Sequence, residues 1–293
     1  MMVLTAARPK GRQAAVLLTY EKTDISEEIA PDLESFKYTD VAESQSDSVS
    51  ITVNARVAKW KNEWMPEKGV KLYPAIVVKD WNIGGIGSGY RDYSAECGAF
   101  VLDDLSFAGA PDSLTMGGVA KPNDTSFGER SRTFTWKNTS VKKIAETIAG
   151  RYNLELKFEG DDHSIDAKEQ DGTDSAFLQD LCSTYALVIK VYTSKLWVYD
   201  REKYKAKDPV WTVYESRPVG NPTAMCVEPG SFKWNTKLTG TYTGGLYTYT
   251  NKQKKININV KVGTDERQLK LTGKVSSEAD AKARLIAAIK NAN

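Results

Sequence analysis

Hydrophobic and polar residues alternate strictly over two stretches, one in each half of the chain. In SVSITVN, the residues Val49, Ile51 and Val53 fall on one side of an extended backbone, and KKININVKV at 254–262 carries four aliphatic residues in the same way. Because neighbouring side chains of a strand point to opposite faces, both stretches predict half-buried strands with one face in water. Further strands are predicted at 14–20, 34–39, 71–79, 99–107 and 113–119. The first part of the chain is therefore typical of a β-barrel or β-sandwich.

A helical period replaces the strand pattern from residue 140 onward. SVKKIAETIAG places its apolar residues at helical spacing and begins at an N-cap, Thr139 or Ser140. A second helix is predicted after Thr173, and two apolar strands at 187–192 and 196–199 follow it, joined by a turn so short that they must pair antiparallel. The predicted core of this helix-and-hairpin module consists of Phe177, Leu178, Leu181 and Trp197.

The pattern also predicts how the chain is divided. Strand character resumes at about residue 204, and the chain closes on an amphipathic helix capped by Ser277. A length of 293 residues predicts about two domains. We expect a first β-domain at 1–128, completed by strands from about 204–230, an inserted α+β module at 129–203, and a second β-domain at 204–293. The predicted fold class is therefore α+β and mainly β.

Charge and cysteine content exclude several classes of protein. Lys and Arg number 40 against 38 Asp and Glu, and a net charge of +2 lacks the concentrated positive field that specific nucleic-acid binding requires. No run approaches the roughly 18–20 consecutive apolar residues that cross a bilayer, so no membrane span is predicted. Cys97, Cys182 and Cys226 are odd in number and far apart, which predicts buried thiols in a reduced compartment.

Reactive side chains are few and poorly placed. His163 is the only histidine, which excludes a histidine-dependent triad and a multi-histidine metal site, and its surroundings, GDDHSID, are interpreted as a solvated surface turn. Asp103 and Asp104 cannot form a pair of glycosidase carboxyls, because adjacent strand residues face opposite ways. GGIGSG at 84–89 is followed by no helix pattern and is interpreted as a hairpin tip. No catalytic, metal or cofactor site is predicted, and the chain is not expected to be an enzyme.

Aromatic residues suggest binding surfaces instead. Flat rings anchor protein interfaces and stack on sugars, although packing in a core is favoured over ligand stacking. The candidate interface residues are Trp60, Trp64, Trp81 and Trp136. Seven Trp and fourteen Tyr keep a carbohydrate- or peptidoglycan-binding module as an alternative. A cell-wall hydrolase is a further alternative, with Asp161, Asp162 and Glu169 as its acidic residues.

Four segments carry a more specific signal. They are WKNEWMPEKGVKL at 60–72, CGAFVLDDLSFAGAPDSLTMGGVA at 97–120, RTFTWKNTSVKKIAETIAGRYNLEL at 132–156 and EQDGTDSAFLQDLCSTYALVIKVYTSKLWVYD at 169–200. Their order and spacing resemble the phage late-control protein D family, the baseplate hub of contractile tails, which is related to the hub part of type VI secretion spike proteins. At these places the family shows a Trp-Pro-Gly strand entry, a strand followed by Gly-Pro-Pro-Asp, a Trp-x-Asn-Thr helix start and a Gln-x-x-x-Ser-Asp-x-x-Phe-Leu helix.

The chain departs from the family pattern in three turns. Ala110 and Pro111 stand at the proline pair, Thr173 and Asp174 stand at the Ser-Asp pair, and the second helix ends in STYALVIKV where the family usually carries a Gly. Family members often add strands after a closing helix like the one here. The resemblance therefore implies either a short version of the protein or a chain that lacks a C-terminal piece.

The resemblance also implies a function. Members form homotrimers in which each chain contributes two tail-tube-like β-barrel or β-sandwich domains with small α+β modules, so that three chains make a pseudo-sixfold ring. Such a ring joins the hexameric tail tube to the trimeric spike, without a cofactor and without catalysis. The implied partners are the tail tube protein, the spike protein and the baseplate wedge proteins, with the tape-measure protein as a further one. The implied location is the baseplate of a virion or phage-tail-like particle, after synthesis in the bacterial cytoplasm.

Overall fold

The computed structural model describes residues 13–42, 46–56, 58–81, 91–121, 126–192, 194–210, 212–216, 218–221, 224–227, 230–251 and 255–293, and for residues 80, 81, 91 and 92 it describes the backbone alone. The predicted hairpin tip at 84–89 lies outside the described residues. The chain divides into two compact units. Unit 1 comprises Met1–Val41, Ser46–Lys121 and Pro209–Lys233, and unit 2 comprises Ala42–Gln45, Pro122–Asp208 and Trp234–Asn293. The three-part domain division of the sequence stays a prediction.

Unit 1 is built on one antiparallel sheet of eight strands. Its elements are β1 (Gln13–Tyr20), β2 (Thr23–Asp24), α1 (Ser26–Ile29), β3 (Leu33–Thr39), β4 (Ser48–Asn54), a 3-10 helix (Ala58–Lys61), β5 (Lys71–Trp81), β6 (Arg91–Glu96), β7 (Phe100–Ala108) and β8 (Ser113–Val119). The strand order is β2-β1-β5-β7-β8-β4-β3, and β6 pairs with the later part of β5. The sheet therefore has β3 at one end and β2 at the other.

The core of unit 1 lies on one face of this sheet. Val49, Ile51 and Val53 of β4 are at most 2% exposed, which confirms the predicted alternation. β4 is bonded to β3 on one side and to β8 on the other, so it is an interior strand. Opposite Val49 stands Gly118 of β8, where a Cβ atom would lie 2.9 Å from a methyl group of Val49 and 3.2 Å from Cβ of Phe100. The close packing here depends on the missing side chain.

The described part of unit 2 combines three small sheets with five helices. Its elements are α2 (Ser126–Glu129), β9 (Ser131–Ser140), α3 (Val141–Arg151), β10 (Glu155–Glu159), β11 (Ser164–Thr173), α4 (Asp174–Ser183), β12 (Leu187–Tyr192), β13 (Lys195–Asp200), α5 (Arg201–Lys205), β14 (Gly244–Asn251), β15 (Ile256–Gly263), β16 (Gln268–Thr272) and α6 (Glu278–Ala292). β9 pairs with β11, and the two three-stranded sheets have the orders β10-β13-β12 and β15-β14-β16. The three longer helices, α3, α4 and α6, pack their apolar faces on these sheets.

The predicted helix starts and hairpin of unit 2 are confirmed. Ser140 caps α3, Thr173 caps α4 and Ser277 caps α6, each side-chain oxygen accepting a backbone N–H three residues further on. β12 and β13 form the antiparallel hairpin, and β13 also pairs in parallel with β10. The alternating stretch that ends at residue 262 forms β15, which packs against α6 with Ile258 buried.

The mainly β, α+β fold class is confirmed, and none of the sheets formed by the described residues closes into a barrel. Residues 209–233 belong to unit 1, but the described residues between α5 and β14 form none of the strands expected there. In place of the strands expected from about 204–230, the described residues show a single bridge between Tyr214 and Cys226. Prolines at 209, 218, 222 and 229 interrupt this segment, and each removes a backbone N–H that a strand ladder needs. No helix in the described ranges is both long and apolar enough to span a membrane.

The glycine at 118 provides a test of the unit 1 core. We expect Gly118→Ala to lower the free energy of unfolding by about 1–3 kcal/mol, because the added methyl group overpacks the site between Val49 and Phe100. Gly150 lies inside α3 with no atom within 4 Å of its missing Cβ. Gly150→Ala is the matched control and should stabilise the chain by about 0.5–1 kcal/mol. Urea unfolding of both variants measures the difference, and equal effects would contradict the packing described here.

Candidate functional site

Two of the segments that carry the family resemblance converge on one carboxylate, that of Asp174. Its side chain is fully buried at the start of α4. Gln170 donates an amide N–H to Oδ1 at 2.6 Å, and the Tyr152 hydroxyl donates to Oδ2 at 2.7 Å. Arg151 reaches both oxygens, at 2.8 and 3.0 Å, and Arg132 reaches Oδ2 at 3.1 Å. Each oxygen therefore accepts at least two hydrogen bonds.

The local structure explains how these donors meet. β11 leads directly into α4, so Gln170 near the end of the strand is only four residues from Asp174 at the start of the helix. Arg151 is the last residue of α3, Tyr152 is its C-cap, and Arg132 lies at the start of β9, which pairs with β11. A carboxylate in the first turn of a helix also meets the positive end of the helix dipole. The cluster therefore joins two strands and two helices at one point.

The electrostatics of this cluster favour a fixed ionisation state. Burial by itself raises the pKa of Asp174, but the hydrogen bonds from Gln170, Tyr152 and Arg151, together with the charge of Arg151, outweigh it and hold that pKa below its ordinary value. Burial and the hydrogen bond to Asp174 raise the pKa of the Tyr152 hydroxyl. At neutral pH the carboxyl is charged and the phenol is protonated. The cluster acts as a structural link, since neither group is ready to exchange a proton.

Trp136, a candidate interface residue, extends this cluster. Its indole N–H donates to the Gln170 side-chain oxygen at 3.0 Å, its ring stacks on that of Phe177 with centroids 6.3 Å apart, and the Arg151 guanidinium lies 5.5 Å from its ring. The side chain is only 8% exposed. Trp136 therefore packs in the core, as the sequence analysis favoured, because this side of β9 faces α4, and its role in an interface stays a prediction.

The other candidate interface residues lie in unit 1. Trp60 is 2% exposed and donates its indole N–H to Asp32 at 2.8 Å, so it is also a core residue and not a surface one. Trp64 is half-buried and meets Trp60 edge to face, with centroids 5.8 Å apart, and the Lys59 ammonium lies 5.1 and 5.5 Å from the two rings. The side chain of Trp81 lies outside the described residues. Of the four, only Trp64 is seen to present part of its ring to solvent.

The module core differs from its prediction at one position. Phe177, Leu178 and Leu181 lie in the buried cluster of unit 2, at 7%, 0% and 1% exposure. Trp197 does not, because the two neighbours of Trp197 on β13, Leu196 and Val198, take both core positions. Trp197 points to the opposite face, where the Lys157 ammonium lies 4.4 Å from its ring. The alternation of faces along the strand, and not the size of the side chain, thus decides which residues of β13 are buried.

His163 belongs to a packed joint and not to a solvated turn. Its ring stacks on that of Tyr185 with centroids 4.2 Å apart. The Tyr185 hydroxyl donates to Asp280 at 3.0 Å, and Arg284 donates to the same carboxylate oxygen at 2.9 Å, which ties the end of α4 to α6. Burial lowers the pKa of His163 and outweighs the carboxylates of Asp161, Asp162 and Asp280, which raise it. Burial likewise raises the pKa of Tyr185 to about 12.

The acidic residues of the hydrolase alternative have local structural roles. Asp161 is exposed and pairs with Lys203 at 2.7 Å, and this hydrogen bond lowers its pKa. Asp162 accepts the backbone N–H of Lys142 at 2.9 Å, at the start of α3. Glu169 lies on β11. Within the described ranges, no three His, Cys, Asp or Glu side chains group together in a way that could hold a metal ion.

The three cysteines are free thiols in different surroundings. Cys97 and Cys182 are buried, as predicted, while Cys226 is half-exposed. Burial raises the pKa of Cys97, and it raises that of Cys182 to about 12. The two buried thiols are therefore protonated and unreactive at neutral pH.

Replacing the buried carboxylate tests the cluster. We expect Asp174→Asn to lower the free energy of unfolding by about 3–5 kcal/mol, because it leaves two guanidinium groups without their counter-charge. Asp166→Asn, on the exposed side of β11, is the matched control and should change stability by no more than about 0.5 kcal/mol. Because the folded pKa of Asp174 is depressed, its contribution is complete above the ordinary value of 3.8 and is lost as the pH falls through the folded pKa. Urea unfolding at neutral and acidic pH should therefore show the two proteins converging in acid.

The single histidine allows a second test. The folded pKa of His163 lies below its ordinary value of 6.5, so between these two values the unfolded chain binds more protons than the folded chain does. The contribution of the neutral His163 to the free energy of unfolding is therefore complete above about pH 6.5 and decreases as the pH falls below it. In His163→Gln this slope should disappear between about pH 7 and pH 5. Thermal unfolding across that range is the measurement, and an unchanged slope in the variant would show that another group is responsible.

Comparison with known proteins bears on the fold. No protein-family model matches the chain, and no curated protein sequence matches it. Among solved structures, it is similar to a 43 kDa tail protein of prophage MuSo2 from Shewanella oneidensis, with a TM-score of 0.60 at 10% identity over 94% of this chain and 78% of that one. It is also similar to a tail protein from Neisseria meningitidis MC58, with a TM-score of 0.58 at 12% identity over 92% of this chain and 74% of the other.

A third similar structure is prophage tail protein gp18 from Listeria monocytogenes EGD-e, with a TM-score of 0.54 at 12% identity over 88% of this chain and 72% of that one. Identities this low compare folds and not functions. The match nevertheless runs over both units of the chain. The resemblance to phage tail proteins is thereby confirmed, and the chain has the fold that these tail proteins share.

Proposed function

We propose that this chain is a structural hub subunit of a contractile phage tail or of a phage-tail-like injection particle. In this proposal three copies form a ring at the baseplate that joins the hexameric tail tube to the trimeric spike. The shared tail-protein fold supports the class of protein. The hub segments at 60–72, 97–120, 132–156 and 169–200 support the more specific role. One feature of the surface supports assembly into such a ring.

That feature is a run of exposed apolar side chains between α5 and β14. Of the fourteen large hydrophobic residues that are exposed among those described, eight lie in this one segment: Val210, Val213, Tyr214, Val219, Met225, Phe232, Trp234 and Leu238. Trp234 is 74% exposed and Leu238 is 71% exposed. Single apolar residues are common on protein surfaces, and we infer that so many along one segment, six of them in unit 1 and two in unit 2, offer contacts to other molecules. We name residues 209–243 the apolar segment.

The energetics favour a protein partner for the apolar segment. Burying one Trp side chain removes about 150–250 Å² from water, which at about 25 cal/mol per Å² is worth about 4–6 kcal/mol before the costs of association. The seven other exposed apolar side chains of the segment add to this burial of Trp234 and favour a stable interface. A second copy of the chain is the simplest partner, because identical copies arranged around an axis repeat the same contact.

The remaining surfaces would meet the other parts of the particle. We infer that the tail tube protein, the spike protein and the baseplate wedge proteins are the neighbours of the ring, with the tape-measure protein as a further contact. The polar clusters around Asp174 and Asp280 support a role in assembly, because their charged groups are committed to holding helices and strands together. In this role the chain carries load and sets symmetry, and it needs no reactive group.

The apolar segment provides the test. We expect the wild-type chain, with a mass of 32.5 kDa, to form trimers alone or when mixed with its tube and spike proteins. Trp234→Asp should shift the population to monomers, because it places a charge in the subunit contact. Light scattering coupled to gel filtration measures the mass, and circular dichroism checks that the variant is folded.

Met65→Asp is the matched control for this experiment. Met65 is 53% exposed but lies outside the apolar segment, so its substitution should leave the trimer intact. A wild-type chain that stays monomeric with tube and spike proteins present would overturn the proposed function. A trimer that resists Trp234→Asp would overturn the role of the apolar segment in it.

A further inference from the structure

A groove of about 530 Å³ lies in unit 2 beside the first half of β12. One wall is the exposed face of α4, formed by Ala176, Gln179, Asp180 and Ser183. The other wall is formed by Leu187, Val188 and Ile189 of β12. Arg201 and Asn291 lie at its margin. The groove therefore separates a helix from a strand that belongs to the same module.

The lining residues show which part of β12 the groove meets. Neighbouring side chains of a strand point to opposite faces of its sheet, so three consecutive residues can line one cavity only where the cavity lies along the strand's edge. β12 is the last strand in the order β10-β13-β12, and β13 is its only partner among the described strands. Every second residue of β12 therefore turns its N–H and C=O away from β13, toward the groove.

The groove is already formed in the single chain. The Asn291 amide donates to the backbone oxygen of Ser183 at 2.9 Å, which holds the end of α6 against the end of α4. Arg201 donates to the backbone oxygen of Lys290 at 3.4 Å, which adds a second contact from the same margin. A ligand would not need to open the site, so little binding energy is lost in reorganisation.

We propose that this groove binds an extended peptide segment of a partner protein, which adds to the sheet as a fourth strand beside β12. The open backbone groups supply hydrogen bonds to the main chain of the peptide, and the space between α4 and β12 takes every second side chain. Ala176 and the half-buried Ile189 favour aliphatic side chains at those positions. The lining carries one carboxylate, Asp180, and one guanidinium, Arg201, so a segment of low net charge fits it best.

A strand explains the groove better than other ligands do. A helix satisfies its own backbone groups and would leave the edge of β12 unpaired. A small molecule could not pair with a row of backbone groups along the strand. The inference concerns peptide binding by one chain and does not depend on trimer formation, so the two proposals can fail separately.

The experiment selects peptides on the full-length chain. A displayed library of random dodecapeptides is panned on the wild-type protein and on Ala176→Trp, whose indole would fill the groove from an exposed position of α4. Glu146→Trp, on the exposed face of α3, is the matched control. Peptides enriched on the wild type are synthesised, and their affinities are measured by fluorescence anisotropy. Light scattering checks that Ala176→Trp has the same oligomeric state as the wild type.

The proposal predicts enriched peptides with alternating aliphatic residues, which bind the wild type and Glu146→Trp equally and bind Ala176→Trp at least tenfold more weakly. N-methylation at every second residue of such a peptide should abolish binding, while N-methylation at the residues between should not, because only one edge of a strand pairs with β12. Equal enrichment on the wild type and Ala176→Trp would overturn the proposal. The proposal would also be overturned if N-methyl groups weakened binding equally at both sets of positions.

Discussion

A carboxylate that has no access to water stays charged only if the protein replaces its hydration, and this requirement governs unit 2. At Asp174 the replacement comes from Gln170 on β11, from Arg151 and Tyr152 at the end of α3, and from Arg132 on β9. Displacing any of these elements would leave a buried charge without its partner. The carboxylate therefore fixes the relative positions of two helices and two strands that hydrophobic packing alone would locate less sharply.

This arrangement has a consequence for function. The buried carboxylate of Asp174 and the groups around it are bonded to one another, so they hold the module together. The unit presents backbone edges, such as that of β12, and apolar surface, as at Trp234. Surfaces of these two kinds recognise other proteins, through strand pairing and through burial of hydrophobic area. A module with such surfaces agrees with the structural role that we propose.

The same cluster gives physical meaning to the family resemblance. Trp136 opens the Trp-x-Asn-Thr pattern and Asp174 stands at the Asp of the second helix pattern, while Gln170 lies one residue after the position of that pattern's Gln. In the structure these three residues form one chain of hydrogen bonds, from the indole to the amide and from the amide to the carboxylate. Residues far apart in sequence thus belong to one interaction. The resemblance rests on residues that the fold needs, and this agrees with a shared tail-protein fold at 10–12% identity.

The sequence by itself determined the elements whose signals are local. Alternation predicted β4, helical period and a side-chain cap predicted α3, and a short turn predicted the β12–β13 hairpin. Only the tertiary structure decided which large side chains are buried, since Trp136 is enclosed because α4 packs over β9, while Trp197 is turned away from the core by the phase of β13. It also decided that His163 stacks on Tyr185 and does not lie in water. Periodicity is a property of neighbouring residues, whereas burial and hydrogen bonding between distant segments depend on how whole elements meet.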